Sequence, residues 1–389
     1  MSTVDTLVVG AGPQALTVLA RWAHDRPSVG DRCLVIDPSG NWLTAWRTQF
    51  RQQQIGFLRS PGVHHPAPDE MAFLRRHGDM DASPPATVDP VRADPLERVS
   101  GPLRRPAAEV FDEFCRDVVA DAGLSTRVVA GRVDELHPER GGWRALLAEG
   151  PSVRARQVVW AANPRRRVTP AQVELGSNVV HAADVDLSTV EAGQRIVVLG
   201  GGQTAGQLAL GASCAGAEVV LVARHSIRTA DLDVDAGWLM DDHLVPFRSI
   251  VDQSERRQIV ERCRRGSMTS DLLDGLLRSG VRWCPDVGQI EAHSTEDGAI
   301  VRFAGETSTA DTVWVATGSV PDLRVAPALA QVAAAGAEHV DGWPVLSDRL
   351  EWTHRLFVVG ALAALALGPA AGNLGGARAA ADALCSAAP

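Results

Sequence analysis

The chain contains no lysine and no tyrosine, and all 38 of its basic residues are arginine. The first absence excludes a Schiff base on a lysine side chain, and the second excludes a phenolic general acid. Six cysteines are present, but no two form a Cys-x-x-Cys pair. Reduced thiols are therefore expected, and a dithiol redox mechanism is nearly excluded. No His-x-x-x-His spacing occurs either, so we predict no metal site.

Long apolar runs and an excess of positive charge are absent as well. No run approaches the roughly 18 apolar residues of a membrane span, so no membrane partner is predicted. The net charge of −9 argues against nucleic-acid binding, and the arginine clusters at 104–105 and 165–167 are predicted to be solvated surface. The chain starts with a strand-like run rather than a signal sequence, which favours a cytoplasmic protein. A homo-oligomer is left open.

The first local pattern that predicts binding lies near the start of the chain. An apolar run at residues 6–9 leads into Gly10-x-Gly12-Pro13-x-Ala15 and then an apolar, helix-like segment. Such glycines permit a tight turn and a close phosphate, and the small third residue lets helix and strand pack. A second apolar run ends at Asp37, where a carboxylate can bind ribose hydroxyls. The pattern predicts a dinucleotide site; an ordinary glycine-rich β-α turn is the alternative.

The same pattern recurs at residues 195–222. An apolar run precedes Gly200-Gly-Gly202-Gln203-Thr204, and a small-residue helix and another apolar run follow. This last run has no acid where the first unit has Asp37; two arginines follow it instead. A planar cation suits a 2′-phosphate, so the second site is predicted to prefer NADPH over NADH, unless the arginines serve only solubility. The two arginines are Arg224 and Arg228.

Two further strand ends complete the pattern. A buried run beginning at Asp311 ends in Ala316-Thr317-Gly318, and the last apolar run ends at Gly360. The sequence Gly368-Pro369-Ala370 then predicts a helix start that can face an anionic ring. Residues 231–268 are predicted to be a polar, irregular insertion, and residues 80–106 a surface excursion or lid.

These units together resemble the two-dinucleotide-binding-domain flavoproteins over nearly the whole chain. The chain looks most like the FAD- and NADPH-dependent monooxygenases, particularly the lysine and ornithine N-hydroxylases. Gln53-Gln54-Ile-Gly-Phe-Leu-Arg59 is similar to the family's Met-Gln-x-x-Phe-Leu-Lys-like segment. The Ala-Thr-Gly strand end with its preceding Asp311 matches a second family motif, and Gly176 with His181 approximates a third.

The resemblance implies an α/β fold with two Rossmann-like, three-layer ββα domains, the NADP domain being inserted in the FAD domain. The FAD domain then comprises residues 1–190 and 319–389, and the NADPH domain residues 191–318. The implied reaction passes one oxygen from a flavin C4a-hydroperoxide, formed with O2, to a small nucleophilic substrate, with an amine nitrogen favoured. Gln54, Arg59 and His65 are the predicted catalytic residues, and Trp46 is placed with the cofactor residues.

Departures from the family keep alternatives open. The Gly-Asp pair that contacts FAD in many relatives is Gly360-Ala361 here, and the family's lysine is replaced by Arg59. Ornithine or lysine is therefore not supported as substrate. An NAD(P)H-dependent flavin oxidoreductase or dehydrogenase without oxygen transfer, or a non-enzymatic dinucleotide-binding protein, remains an alternative. For His65, the alternative to a catalytic role is a loop contact with no part in catalysis.

Overall fold

The structure is a computed structural model that describes residues 2–26, 32–77 and 105–385. The expected surface excursion at residues 80–106 lies almost wholly outside these ranges. Among the described helices, none has the length and apolar character needed to cross a membrane.

The described chain contains both helices and strands, with long runs of consecutive strands between some of the helices. The helices are α1 (Pro13–Asp25), α2 (Thr44–Gln52), α3 (Ala72–His77), α4 (Ala108–Asp121), α5 (Gln203–Cys214), α6 (Asp241–Ser249), α7 (Gln253–Cys263), α8 (Ser270–Arg278), α9 (Pro327–Ala334), α10 (Ala364–Leu367) and α11 (Leu374–Cys385). The strands are β1 (Ser2–Val9), β2 (Cys33–Asp37), β3 (Val128–Ala130), β4 (Val133–Glu139), β5 (Gly142–Leu147), β6 (Val153–Trp160), β7 (Arg165–Arg167), β8 (Val179–His181), β9 (Arg195–Leu199), β10 (Glu218–Val222), β11 (Arg282–Cys284), β12 (Ile290–Thr295), β13 (Gly298–Phe303), β14 (Glu306–Ala310), β15 (Thr312–Val315), β16 (Ser319–Pro321), β17 (His339–Val340), β18 (Trp343–Pro344), β19 (Glu351–Thr353) and β20 (Leu356–Val358).

The first unit is built on a sheet with the order β19-β20-β6-β1-β2-β3. Strand β1 is central and parallel to both neighbours, with Val8 opposite Val35 on one side and Val159 on the other. All three valines are fully buried, as expected for a parallel strand covered on both faces. Helices α1 and α11 pack on one face, and the β4-β5 hairpin with α9 on the other. This is the predicted ββα layering.

The second unit repeats these layers on a smaller scale. Its parallel sheet has the order β11-β10-β9-β15-β8. Helices α5 and α8 cover one face, where Leu208 and Leu276 are buried. The antiparallel sheet β12-β13-β14 covers the other face, where Val301 and Phe303 are buried. The predicted fold class, with one Rossmann-like domain inserted in another, is thereby confirmed.

Two short linker strands join the units. Strand β7 leaves the first unit and pairs antiparallel with β16, which returns to it; Arg165 lies opposite Pro321 and Arg167 opposite Ser319. Strand β8 already belongs to the second sheet, because Val179 pairs with Val313. We therefore place the start of the second unit ahead of β8, earlier than the expected residue 191.

The expected irregular insertion at residues 231–268 is largely helical, contrary to the sequence-based expectation. It contains α6 and α7, and Asp252 caps α7 by accepting the N–H of Ser254. Helix α7 buries Val260 fully but has a mostly polar surface, and α6 contains Pro246. The apolar stripe that reveals an amphipathic helix is therefore missing from the sequence. Phe247 of α6 packs into the core of the first unit.

Candidate functional site

The first glycine turn leaves backbone N–H groups and space for an anion. Gly10 has φ +98°, and a Cβ there would lie 2.8 Å from the Ala162 nitrogen, so only glycine fits. At Gly12, no heavy atom of the described residues lies within 4 Å of a Cβ position. No described side chain caps α1, which begins at Pro13. The small residue Ala15, in the first turn of this helix, is fully buried. This geometry fits the pyrophosphate of a dinucleotide.

Asp37 lies at the carboxyl end of β2, beside this turn. Its Oδ2 accepts the N–H of Ala11 at 3.0 Å, and its Oδ1 accepts from the backbone and hydroxyl of Ser39 at 2.9 and 2.6 Å. The carboxylate therefore holds the two loops together at the sheet edge where dinucleotides bind in doubly wound folds. Trp46 is half-buried and stacks on Phe50 with ring centroids 4.1 Å apart.

The second glycine turn lies at the end of β9. Gly200 has φ +151°, and a Cβ there would lie 2.4 Å from the Ala316 carbonyl oxygen. No described side chain caps α5 at Gly202, and the Gln203 Oε1 accepts the N–H of Thr269 at 3.0 Å. Together with Thr204, this turn lines a cleft of about 1540 Å³. The helix N-terminus therefore faces a space large enough for an extended ligand.

Both units line this cleft. The first unit contributes α2 through Thr48, Gln49 and Gln52, and the linkers contribute Asn163 and the Ala316-Thr317-Gly318 turn. The described lining carries seven arginines and two acids, so its charge favours phosphate or another anion. The arginines are Arg59, Arg165, Arg167, Arg224, Arg228, Arg264 and Arg265, and the acids are Asp233 and Glu261. Over the described ranges, no group of His, Cys, Asp or Glu side chains is placed to hold a metal.

The two arginines predicted to read a 2′-phosphate lie in this cleft. Arg224 and Arg228 follow β10 and are exposed. Neither forms an ion pair with residues that the structure describes. Their guanidinium groups are therefore available to an anionic ligand.

Arg59 lines the cleft, but its donors are used within the protein. Its Nη2 donates to the carbonyls of Ala230 and Leu232 and to the Ser267 hydroxyl, at 2.7 to 2.9 Å. Its Nε and Nη1 donate to the carbonyls of Asp231 and Ser267, both at 3.2 Å. Burial is the main cause of a lowered pKa for Arg59. The side chain joins the first unit to the loops of the second, rather than presenting a free cation.

The glutamines beside Arg59 are placed differently from each other. Gln53 is buried, and its Nε2 donates to the carbonyl of Ala182 at 2.9 Å, across the units. Gln54 is exposed at φ +48° and does not line the cleft. Of this segment, Arg59 is thus the residue that the fold brings to the cleft.

His65 is fully buried outside the cleft. Its Nε2 lies 3.0 Å from the carbonyl oxygen of Glu70, and its ring packs edge-on against Phe114 with centroids 5.1 Å apart. Burial lowers the pKa of His65 to about 4, so the ring is neutral at physiological pH. This geometry corresponds to the packing role that the sequence left as an alternative.

His181 and the Ala-Thr-Gly strand end form one hydrogen-bonded corner of the cleft. The Nδ1 of His181 accepts the N–H of Ala183, so its Nε2 carries the proton and donates to the Gly318 carbonyl at 3.2 Å. The Thr317 hydroxyl donates to the carbonyl of Val168. These contacts fix the linker strands beside the second glycine turn.

The C-terminal segment packs against the first glycine turn. Gly360 has φ +77° and lies beside Gln14, whose Nε2 donates to the Asn373 carbonyl at 3.1 Å. The predicted helix start at Pro369 is instead a single 3-10 turn, Pro369–Gly372, and α11 begins at Leu374. Ala361 is buried against this turn, so no carboxylate is present at its position. Gly368 immediately precedes this turn, and Ala370 is its second residue.

Two arginines predicted to be solvated surface are partly buried instead. The side chain of Arg105 is 8% exposed and pairs with Asp271 of the second unit at 2.9 Å. Arg165 lines the cleft, and burial lowers its pKa to about 10. Sequence reasoning missed both because a basic run does not reveal which side chain faces inward. Arg264, in the helical insertion, was missed for the same reason.

Two glycine turns at the carboxyl edges of two parallel sheets, with one unit inserted in the other, define the two-dinucleotide-binding-domain flavoprotein fold. This confirms the resemblance at the level of the fold. Residues 7–163, which hold the first glycine turn and Asp37, match a family model described as FAD-NAD(P)-binding. A search of curated protein sequences gives no match.

Solved structures with this fold include enzymes of two kinds. FAD-bound DfoA, a cadaverine monooxygenase from Erwinia amylovora, is 13% identical, with 99% of this chain and 94% of that chain covered and a TM-score of 0.73. Lysine monooxygenase NbtG from Nocardia farcinica is 18% identical, with coverage of 98% and 99% and a TM-score of 0.64. Bacillithiol disulfide reductase Bdr from Bacillus cereus is also 18% identical, with coverage of 99% and 98% and a TM-score of 0.62.

Proposed function

We propose that this protein is an FAD- and NADPH-dependent monooxygenase that transfers one oxygen atom of O2 to the nitrogen of a small amine. The observation that carries the proposal is the shared cleft. It is lined on one side by the second glycine turn and on the other by α2 and Arg59 of the first unit. A nicotinamide bound from one unit and a flavin bound from the other would then meet in a space closed by the linker strands.

Each cofactor has a set of residues in this proposal. The backbone N–H groups of Gly12 and of the first turn of α1 would hold the FAD pyrophosphate. Asp37 would bind the adenosine ribose of FAD. The turn at Gly202 would hold the NADPH pyrophosphate, and Arg224 with Arg228 its 2′-phosphate. When bound, FAD supplies the redox chemistry and the reaction with O2. The chain itself would bind and orient the cofactors and the substrate and exclude water. Arg59 and His181 would fix the loops around the reacting groups.

The choice of an amine nitrogen rests on the similar solved structures. DfoA and NbtG are described as monooxygenases of cadaverine and lysine, both amines. The described lining of the cleft holds no cysteine, so a thiol nucleophile is not available there. A cytoplasmic location, where NADPH is supplied, belongs to the same proposal.

A flavin reductase without oxygen transfer is the second candidate, favoured by the likeness to the disulfide reductase Bdr. Two of the described cysteines are unsuited to the dithiol version of this chemistry. Cys33 and Cys115 are buried, and burial raises the pKa of both thiols, that of Cys33 to about 11. Neither is a reactive thiolate at neutral pH.

The decisive experiment follows NADPH oxidation by purified, FAD-loaded protein with amines, amino acids and thioethers. The proposal expects amine-dependent NADPH use and a product heavier by one oxygen, with little hydrogen peroxide. Peroxide alone with every compound would refute oxygen transfer and favour the reductase. Protein that is colourless and takes up no added FAD would favour the non-enzymatic alternative.

A further inference from the structure

Gln14 lies in the first turn of α1, directly after the glycine turn of the first unit. Its Nε2 donates to the carbonyl of Asn373 at 3.1 Å and to that of Ala371 at 3.4 Å. Both partners can only accept a hydrogen bond, so the amide nitrogen must face them and the amide oxygen must face away. The two contacts therefore fix the orientation of the whole side-chain amide.

The amide oxygen of Gln14 has no such partner. Its Oε1 is buried, yet it accepts no hydrogen bond from the residues that the structure describes. A buried acceptor is costly when it is left unpaired, and such groups in native proteins are nearly always paired with another group. A hydrogen-bond donor that does not belong to the described chain is therefore expected at this atom.

The strand order of the first sheet indicates which part of FAD lies near Gln14. Strand β1 leads into the turn for the pyrophosphate, and β2, on one side of it, ends at Asp37, the residue for the adenosine ribose. On the other side lie β6 and β20, and the chain after β20 turns at Gly360, where a Cβ would lie 3.4 Å from the Gln14 Cγ. The flavin half of FAD must then extend toward Gln14, and its ribityl chain, which carries O–H donors, follows the pyrophosphate.

The residue after Gly360 explains why an acceptor is needed here. Many relatives have an aspartate at that position that contacts FAD, but this chain has Ala361, which is buried and packs against Gly372. We propose that Gln14 is a cofactor-positioning residue whose Oε1 accepts a hydrogen bond from a ribityl hydroxyl of FAD, in place of the carboxylate that is absent at Ala361. This inference rests on FAD as the cofactor and is independent of oxygen transfer.

The test separates the ribityl chain from the rest of FAD. The Kd of FAD-free protein for FAD is measured by quenching of flavin fluorescence. ADP, which has the adenosine and the pyrophosphate but no ribityl chain, is measured as a competitor of FAD. Gln14→Met keeps an unbranched side chain but has no amide, so it should weaken FAD binding about 10-fold and leave the inhibition constant of ADP within about 2-fold of the wild type.

Gln331 offers a matched control. It is a half-buried glutamine of α9, on the opposite face of the first sheet from α1, and its Oε1 accepts the N–H of Leu136 at 3.1 Å. Gln331→Met therefore removes a paired amide of the same kind far from the glycine turn. It should leave the binding of both FAD and ADP within about 2-fold of the wild type.

A second substitution tests the replacement itself. In the Gln14→Met background, Ala361→Asp returns a carboxylate to the turn after β20 and should bring the Kd for FAD back to within about 3-fold of the wild type. In the wild-type background, the same substitution should improve FAD binding less, because the acceptor is already present. If Gln14 served only to hold Ala371 and Asn373, FAD and ADP would lose affinity equally and Ala361→Asp would not restore it.

The contrary results are distinct from one another. The proposal is refuted if Gln14→Met binds FAD within about 2-fold of the wild type, if FAD and ADP lose affinity equally, or if Ala361→Asp restores nothing. Thermal unfolding of FAD-free protein identifies a variant that has failed to fold; Gln14→Ala then replaces Gln14→Met, and Ala361→Ser replaces Ala361→Asp. Wild-type protein that binds FAD but yields only peroxide would refute the proposed oxygen transfer and leave the role of Gln14 standing, whereas wild-type protein that takes up no FAD would refute both.

Discussion

His65 is one of the predicted catalytic residues, and its surroundings allow a test of whether it acts in catalysis or in packing. The ring is fully buried against Phe114, and burial lowers its pKa from 6.5 to about 4. The unfolded chain therefore binds a proton at His65 between pH 6.5 and 4, whereas the folded protein does not. Unfolding takes up this proton, so the free energy of unfolding falls as the pH falls through that window.

The magnitude follows from the pKa difference. At about 1.36 kcal/mol per pKa unit, the fall from 6.5 to about 4 corresponds to roughly 3 kcal/mol, all of it present above pH 6.5 and gone below pH 4. His65→Gln keeps a side-chain N–H for the Glu70 carbonyl but does not titrate. Between pH 7 and pH 4, the wild type should lose about 3 kcal/mol more stability than this variant.

The assay is urea unfolding of both proteins at several pH values, with NMR of isotope-labelled histidine to measure the pKa directly. Other titrating groups contribute equally to both proteins and cancel in the difference. Parallel stability curves, or a pKa of His65 near 6.5, would contradict the burial argument. A kcat that falls more than about 100-fold in His65→Gln, with stability at pH 7.5 unchanged, would instead support the catalytic role.

Three further predictions concern the cleft and the cofactors. Gly12→Val should leave the thermal stability of FAD-free protein nearly unchanged, because no described atom crowds that position, yet reduce FAD retention on gel filtration at least 10-fold. The double variant Arg224→Gln, Arg228→Gln should raise the KM for NADPH about 10-fold or more and leave the KM for NADH within about 2-fold of the wild type. Equal effects on the two KM values would count against recognition of the 2′-phosphate. In the Arg59→Lys variant, the lysine cannot donate to all of the carbonyls that Arg59 binds, so NADPH oxidation should fall about 10-fold and the melting temperature should drop. Lost activity with an unchanged melting temperature would instead indicate a direct catalytic contact.

Much of the fold could be predicted from the sequence because its signals are local. The turn at Gly10 requires a positive φ and a missing Cβ, and both requirements are met within a few residues of chain. The same is true of the apolar runs that became β1 and β9, and of the repeat that revealed two units. Local signals failed for α7, whose surface is mostly polar and leaves no apolar stripe to read.

The roles of the charged residues were decided by the tertiary structure. Arg165 and Arg166 are neighbours in one basic run, yet one enters the cleft and the other pairs at the surface. Arg165 is held by Ser319, which lies 154 residues away, and Arg59 by carbonyls more than 170 residues away. Burial and partner choice depend on such distant contacts, whereas a backbone turn depends on its own residues. The sequence alone therefore determined where two dinucleotide turns form, and only the folded chain determined which cations face the space between them.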